Sequence, residues 1–420
     1  MGRFDRQAQS QPKHGRPSVS SASKAPAPPP TSRPSWTGSG YSKKAAPRKP
    51  ASSSAMSAPA PTLQRNILPV ELQQLILDIF RVAFPASQDF AALKALLTQI
   101  NDALLQKSFE TAFRTEQFRE GYAIRWSPSR ALAYSNILAQ ICDDHGDSPW
   151  VKRLLGNGTA GPVKVLCFGG GAAEVMALAG VLRCRREDAA GKPDAVPSGD
   201  SGASPEEKLL QAASSSPLSA PLVDLHLVDA ADWSEVISKL CAGLTTAPQL
   251  SKYASAAART MNASFLSPRA LATHFTQTDI LGLTAEDLQA MMGSEVTLIT
   301  LLFTLNDLYN TSIRRATSFL RKLSTLVPKG CLLLVVDAHE AMASAKGAEG
   351  EAEKLYAMSW LLDKALLPAQ VTVEDEPISE SPWEKLVDDT NRLCRLPDKG
   401  LGYPAGLENL KLQVHLFRHL

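Results

Sequence analysis

The chain has 420 residues, of which 44% are hydrophobic and 20% charged, a composition typical of proteins with packed cores. No apolar run reaches the roughly 18 residues of a membrane span and the N-terminus lacks the apolar centre of a secretory signal, so we expect an intracellular protein without membrane contact. The six cysteines are widely spaced and form no CxxC pair, which disfavours a bound metal and a disulfide framework.

Residues 1–62 are predicted to form a disordered basic tail. The segment is rich in Ser, Pro, Ala and Lys and is too poor in large apolar residues to bury a core. Residues 1–66 hold eleven of the 44 basic residues but one of the 42 acidic residues. Such a tail can attract a polyanion or serve as an import address, and the alternative is a solvated leader with no special role.

Residues 63–158 are predicted to form a helical domain. Apolar residues recur at spacings of three and four through the segments 69–84, 89–113 and 129–144. At the start of the last segment, RWSPSRALAY (125–134) supplies two cations and two aromatic rings that could bind phosphate and stack on bases, namely Arg125, Arg130, Trp126 and Tyr134. The alternative is that the aromatic residues pack this domain onto the next one, with the arginines solvated or salt-bridged.

Residues 159–420 are predicted to form an α/β domain with a mostly parallel sheet. Short apolar segments alternate there with helical ones, the pattern of a sheet covered by helices on both faces. The candidate strands are 163–168, 222–229, 272–279, 296–304, 331–337 and 412–419. A low-complexity insertion at 187–220 and a soft loop at 343–354 interrupt this domain.

The first strand ends in three glycines, Gly169, Gly170 and Gly171. In open α/β sheets the ligand lies beyond the carboxyl ends of the strands. Glycines at that place permit a sharp turn and the close approach of a ligand, and the following helix directs its N–H groups at that ligand. A tight turn without a ligand is the alternative.

Aspartates follow the second and third strands. Asp229 can accept the hydroxyl hydrogens of a ribose, while Asp232 is the competing candidate, with an alternative role as a helix N-cap. Asp279 can accept from an adenine amino group or can cap the turn that follows it.

The glycine turn could hold a dinucleotide or S-adenosylmethionine (SAM). Read as GxGxxG, the turn has Glu174 in its third glycine position, which is unfavourable beside a diphosphate. Read as GxGxG, it has Gly169, Gly171 and Ala173 in the three positions, and a cationic ligand tolerates the nearby carboxylate. Electrostatics therefore favours SAM over NAD as the ligand of this turn. A dehydrogenase would need NAD there and is disfavoured for the same reason.

The segments VLCFGGGAAEVMALAG, LVDLHLVDAADWSEVISKL, HFTQTDIL, LITLLFTLNDLY and LLLVVDAHE together resemble a Rossmann-like class I methyltransferase, whose sheet is mostly parallel with a C-terminal antiparallel strand. With YAIRWSPSRALAY and YPAGLENLKLQVHLFRH, residues 66–420 are similar to the fungal family that includes the uridine-N(3) methyltransferase of large-subunit ribosomal RNA. Cys167, where an acidic residue often precedes the first glycine, and Ala173 depart from the usual pattern.

This resemblance implies SAM as the cofactor, with Phe303 in its site, and ribosomal RNA or a pre-ribosome as the partner. It also implies a nuclear, nucleolar or cytoplasmic location. Uridine N(3) as the target atom rests on the resemblance alone.

Absent motifs narrow the chemistry independently. Enzymes that methylate exocyclic amines commonly have prolines in the turn after the fourth strand, and NDLY has none there. Methylation at carbon 5 of a pyrimidine needs a cysteine nucleophile near a strand end, but Cys331 lies at the beginning of its strand. A ring nitrogen or an oxygen remains. Asp307 is the candidate base for a ring N–H, with Asn306 and Tyr309 orienting or stacking the base, and its alternative role is a helix cap.

An RNA base would have to be unstacked or extruded to reach such a site. The segment RRATSFLRK (314–322) is a second basic face, which can be merely solvated. A protein or small-molecule methyltransferase and a methyltransferase-like binding protein without activity remain as alternative functions.

Overall fold

The computed structural model describes residues 60–154, 161–190, 222–260, 262–293, 295–345, 354–367 and 381–420. These residues belong to one compact unit, Ala58–Leu420. The predicted tail up to residue 59, most of the predicted insertion and most of the soft loop lie outside the described residues.

The main sheet has eight strands, namely β1 (Thr62–Leu63), β2 (Val163–Phe168), β3 (Val223–Asp229), β4 (Leu271–Gln277), β5 (Val296–Leu302), β6 (Leu332–Ala338), β9 (Trp383–Cys394) and β10 (Leu410–His419), while β7 (Met342–Ala345) and β8 (Lys354–Ala357) form a separate antiparallel pair. Their order in the main sheet is β1-β9-β10-β6-β5-β2-β3-β4. Strands β2 to β6 pair in parallel, whereas β10 runs antiparallel to both β6 and β9. The prediction of a mostly parallel Rossmann-like sheet with a C-terminal antiparallel strand is confirmed.

The α-helices of the described residues follow the predicted alternation with the strands. They are α1 (Val70–Ala83), α2 (Phe90–Leu105), α3 (Phe109–Ala112), α4 (Glu116–Arg125), α5 (Ser127–Asp144), α6 (Pro149–Leu154), α7 (Ala172–Ala190), α8 (Ser234–Thr245), α9 (Ala256–Thr260), α10 (Ala285–Met292), α11 (Leu305–Leu326) and α12 (Met358–Leu366). Among these helices none is long and apolar enough to span a bilayer.

The core has two parts, one on each face of the sheet. Successive residues of a strand point to opposite faces, so in β2 Val165 contributes to one cluster and Leu166 to the other. Helices α1, α5, α7 and α8 cover the first face, and α10, α11 and α12 cover the second. Gly180 lets α7 approach α5, because a Cβ there would lie 2.9 Å from the Ser135 hydroxyl oxygen.

The strand order reverses at β2. From β2 the chain continues to β3 and β4 on one side and then to β5 and β6 on the other. The connecting segments leave in opposite directions at that point, which opens a crevice at the carboxyl ends of β2, β3 and β5, where α/β sheets bind their ligands.

Candidate functional site

A cleft of about 1010 Å³ lies at the carboxyl ends of the central strands. Its floor comes from the glycine turn after β2, the ends of β3 and β6, and the start of α11, and its outer wall comes from α2 to α5. Most of the predicted site residues line it together, namely Gly169, Gly171, Glu174, Asp229, Asp279, Phe303, Asn306, Asp307 and Arg130.

The three glycines of the turn are required by contacts with the protein itself. Gly169 has φ +73°, and a Cβ there would lie 2.1 Å from the Thr304 hydroxyl oxygen. A Cβ on Gly171 would lie 3.3 Å from the Trp233 ring, and one on Gly170 would lie 2.8 Å from the side chain of Cys167 below it. The sequence suggested that the missing Cβ atoms make room for a ligand, whereas their nearest neighbours belong to the protein: Thr304 and Trp233 in loops beside the cleft, and Cys167 in β2.

Glu174 places a carboxylate at the start of α7. Its Oε2 accepts a hydrogen bond of 2.7 Å from the Gly171 backbone N–H. Burial raises the pKa of Glu174 to about 7, although this hydrogen bond and the Arg130 charge act in the opposite direction. Dinucleotide sites bind phosphate at the positive, N-terminal end of the corresponding helix. At the N-terminal end of α7 this place is taken by the Glu174 carboxyl group.

The end of β3 separates the two aspartates that the sequence left in competition. Asp229 lines the cleft and accepts a hydrogen bond of 2.7 Å from the Ala231 N–H, and burial raises its pKa to about 6. Asp232 also lines the cleft, at its partly exposed rim, where it accepts from the backbone N–H of Ser234 at 3.1 Å at the start of α8. Asp229 is thus the deeper acceptor, and Asp232 stabilises the helix start.

Asp279 reaches the cleft but is already engaged. One of its oxygens accepts a 3.0 Å hydrogen bond from the Leu281 N–H, so it caps the 3₁₀ turn Ile280–Gly282. The other pairs with Arg315 at 3.0 Å. The structure therefore shows the capping role, and a ligand would have to share this carboxylate.

The start of α11 places Asn306 and Asp307 in the cleft beside Asp337, the next-to-last residue of β6. The Asn306 N–H donates to Asp337 Oδ2 at 3.0 Å, while the Asn306 side-chain oxygen is buried without a hydrogen-bond partner among the described residues. Burial, followed by the neighbouring charge of Asp337, raises the pKa of Asp307 to about 7. The N-cap residue of α11 is Thr304, so Asp307 does not take the capping role.

Phe303 has an unusual backbone conformation between β5 and α11. Its φ is +56°, in the left-handed region that aromatic residues rarely adopt, and its N–H donates to the Val336 carbonyl at 2.7 Å. The Arg130 guanidinium lies over the Phe303 ring at 4.3 Å. Strain of this kind persists where surrounding contacts fix it, which is common at ligand sites.

Aromatic side chains close the outer side of the cleft. The ring of Tyr122 lies 5.1 Å from that of Phe113 and 5.7 Å from that of Trp233, and Arg130 donates a hydrogen bond to the Tyr122 hydroxyl. These contacts join α3, α4, α5 and the β3 loop into one wall. Such a wall excludes water and strengthens the electrostatic interactions inside the cleft.

The family model for SAM-dependent methyltransferases matches residues 80–418. The chain belongs to this family. It is 27% identical over 369 residues to the 25S rRNA (uridine(2843)-N(3))-methyltransferase of Saccharomyces cerevisiae, an alignment that covers 86% of this chain and 88% of the yeast protein.

Solved methyltransferase structures resemble the chain at lower similarity. A SAM-dependent methyltransferase from Methanosarcina mazei is 11% identical, covers 64% of this chain and 97% of its own, and has a TM-score of 0.28. The plantazolicin methyltransferase BpumL, in complex with SAH, is 11% identical, covers 78% of this chain and 100% of its own, and has a TM-score of 0.32. Both TM-scores are below 0.5.

The cleft of this methyltransferase suits SAM, the cofactor of its family. SAM offers hydrogen-bond donors in its ammonium, ribose and adenine groups, and its net charge is positive. The cleft presents acceptors and acids in Asp229, Glu174 and the unpartnered Asn306 oxygen. No group of three or more His, Cys, Asp or Glu side chains is placed to hold a metal ion within the described ranges.

Besides Gly170, three predicted site residues of the methyltransferase do not line the cleft. Arg125 pairs with Glu408, and Trp126 packs at 5.3 Å against the ring of Tyr122, which is itself part of the cleft wall. Tyr309 is fully buried in the core on the second face of the sheet. The structure therefore does not place these three side chains where they could contact a ligand in the cleft.

The sequence interpretation missed several residues of the site. Asp337 ends a predicted strand as Asp229 does, so the rule that found one could have found the other. Trp233 follows the β3 end by four residues, and Lys107 lies just beyond α2; both line the cleft. No pattern in the sequence marks Lys107, because its position depends on how α2 packs against the start of α11, where its amino group donates to Asn310 Oδ1 at 2.8 Å.

Proposed function

We propose that this methyltransferase transfers a methyl group to a ring nitrogen of an RNA base, the N(3) atom of a uridine in large-subunit ribosomal RNA. The substrate class and the atom follow the printed activity of the yeast relative. The observation in the site that carries the proposal is the Asp307 carboxyl, which lies in the cleft with a pKa raised to about 7.

Uridine N(3) must lose its proton before it can act as a nucleophile. A general base is most effective when its pKa lies near the working pH, because it is then both ionised and basic enough. Asp307 meets that condition through opposing influences: burial and Asp337 raise its pKa, while Arg130 and Lys107 lower it. SAM, when bound, supplies an electrophilic methyl group.

The neighbouring residues then have separate tasks. Asn306 has a buried acceptor oxygen with no partner among the described residues, which can accept a hydrogen bond from a ligand N–H. Asp337 fixes the Asn306 backbone. Glu174 and Asp229 carry negative charge toward the cationic cofactor, with Gly169, Gly170, Gly171 and Phe303 shaping its site and Asp279 at the rim.

A methyltransferase of ribosomal RNA would work in the nucleus, nucleolus or cytoplasm during ribosome biogenesis. The basic residues of 1–66 would add sequence-independent attraction to RNA or a pre-ribosome. Arg130 is the predicted substrate-binding cation that lines the cleft; Arg125 and Trp126 would support its wall.

The test compares cells that lack this protein with cells complemented by the wild type, by Asp307→Asn or by Asp232→Asn. Mass spectrometry of nucleosides from purified large-subunit RNA should show 3-methyluridine with the wild type and with Asp232→Asn, whose side chain is exposed on the rim. The 3-methyluridine should be missing from cells that lack the protein and from cells that carry Asp307→Asn. Unchanged 3-methyluridine in the deletion contradicts the proposal and leaves a protein or small-molecule substrate, or a binding role without catalysis.

A further inference from the structure

Helix α11 carries a basic face outside the cleft. The helix contains four cations and a single acid, Asp307. Arg315 pairs with Asp279, and the Lys322 amino group donates to the Leu283 carbonyl at 2.9 Å. Arg314 and Arg321 are exposed, and neither has an acidic partner within 4.0 Å among the residues that the structure describes.

Arg314 and Arg321 belong to one polar surface, here named the α11 face. It comprises Arg314, Thr317, Ser318, Arg321, Lys322 and Thr325, which line a shallow groove of about 540 Å³. Arg314, Ser318, Arg321 and Thr325 recur at spacings of four, three and four, so they share one side of the helix. The two arginines lie two turns, about 10 Å, apart at the rise of an α-helix.

The α11 face begins next to the cleft. Asp307 and Thr311 line the cleft from the first turns of α11. Ser312 then interrupts the helix with an extended backbone (φ −166°, ψ 106°), and its hydroxyl accepts from the Arg315 N–H at 3.3 Å, which starts the second segment. Arg314 therefore lies three residues beyond the cleft lining, on the part of the helix that leads outward.

The chemistry of the face suits an RNA backbone. Guanidinium groups bind phosphate oxygens with paired N–H groups, and hydroxyls of Ser and Thr donate to the same oxygens. The aromatic residues on this helix, Tyr309 and Phe319, are buried, so the face offers no ring on which a base could stack. Contacts of this kind position a strand without reading its sequence.

We propose that the α11 face binds the phosphates of the RNA strand that flanks the target base, and so feeds that base into the cleft. This inference rests on the proposed function, because it takes RNA as the substrate. Two phosphate contacts, one at each arginine, are expected to make the face a salt-sensitive part of RNA binding.

The experiment measures binding of the full chain to a fluorescein-labelled 20-nucleotide oligouridylate across a series of salt concentrations. The test variant is Arg314→Gln/Arg321→Gln. The matched control is Arg269→Gln/Lys329→Gln, which removes the same charge from exposed positions just before β4 and β6, at the end of the sheet opposite the cleft. Methyl transfer to large-subunit RNA from cells lacking the protein, and SAM affinity, are measured for all three proteins.

We expect the slope of log affinity against log salt to fall by about 1.4 in the test variant, since each single-strand phosphate contact contributes about 0.7. The control should keep nearly the wild-type slope, and SAM affinity should be the same in all three. A test variant with the slope of the control, beside a wild type that methylates RNA, overturns the α11 face alone. A wild type that transfers no methyl group to the RNA contradicts the proposed function instead.

Discussion

The carboxylate of Glu174 accepts a hydrogen bond of 2.7 Å from the backbone N–H of Gly171. This contact places a negative group of the protein where a dinucleotide-binding sheet places its pyrophosphate. A cationic ligand would be attracted to this end of α7 and a diphosphate repelled. The preference for SAM over NAD, which the sequence indicates through Glu174 at the third glycine position of GxGxxG, thus has an electrostatic basis in this contact.

Glu174→Gln should weaken SAM binding by about tenfold, the equivalent of one pKa unit of interaction. Gln can still accept from the Gly171 N–H, so the substitution removes the charge and leaves the turn intact. In the wild type, SAM affinity should rise as the pH increases through about 7, where the raised pKa of Glu174 lets it ionise, and in the variant it should rise less. Calorimetric titration at pH 5.5 to 8 measures both effects, and equal affinities for SAM in the two proteins would refute the role of Glu174.

Asp307→Asn should lower kcat by roughly 10²- to 10⁴-fold, the usual contribution of a general base, with SAM affinity nearly unchanged. The wild-type kcat should rise with pH through about 7, because the base must be deprotonated and its pKa is raised to about 7. Steady-state kinetics with RNA that lacks the modification provides the profile. A variant that keeps the wild-type kcat would show that another group removes the proton.

The sequence could predict the floor of this site because strand ends are readable from it. Apolar runs end at Gly169, Asp229 and Asp337, and parallel strands bring their carboxyl ends to one edge of the sheet. Helix spacing alone does not exclude Tyr309, because it lies two residues from Asp307 but three from Asn306, and residues three apart share a helix face. The structure places Tyr309 in the core on the second face of the sheet.

The outer wall could not be predicted in the same way. Whether Arg125, Trp126 or Arg130 faces the cleft depends on the rotation of α4 and α5, which long-range packing sets. The strand β9 (Trp383–Cys394) was also missed, because its residues are mostly half-buried and polar. It pairs with β10 and with the short β1, so little apolar periodicity marks it.

Gly169→Ala should destabilise the fold more than Gly406→Ala. Both glycines have φ +73°, so each substitution carries the cost of a left-handed backbone, about 1–2 kcal/mol. A Cβ on Gly169 would also meet Thr304 at 2.1 Å, whereas one on Gly406 would meet nothing within 4 Å. Overpacking adds about 1–3 kcal/mol. Urea unfolding measures the free energy of unfolding of both variants. Equal decreases would show that the Thr304 side chain moves away from the new Cβ at no cost in stability.

Tyr309→Phe should leave kcat within about twofold of the wild type. The ring is fully buried on the second face of the sheet, among residues such as Leu305 and Phe319, and isosteric changes in a core usually cost less than about 1.5 kcal/mol. A role in stacking or orienting a base would instead predict a raised KM or a large loss of kcat. Kinetics at saturating SAM distinguishes the two roles.

The acids of the cleft should make the free protein less stable as the pH rises from about 4 to 7. Burial raises the pKa of Glu174 and Asp307 to about 7 and that of Asp229 and Asp337 to about 6, from ordinary values of 4.5 for Glu and 3.8 for Asp. Between those limits the folded chain binds more protons than the unfolded chain, so this cluster lowers the free energy of unfolding with increasing pH. Well above pH 7 these acids are ionised in both the folded and the unfolded chain, so they lower the free energy of unfolding no further.

The difference in unfolding free energy between Asp307→Asn and the wild type isolates one member of this cluster, because all other titrating groups are shared. That difference should move in favour of the variant as the pH rises from 5 to 8 in urea titrations. Asp232→Asn is the control: hydrogen bonds from Ser234 lower the pKa of this exposed acid, so its difference from the wild type should stay constant over the same range. A pH-independent difference for Asp307→Asn would mean that Asp307 titrates in the folded protein as it does in the unfolded chain.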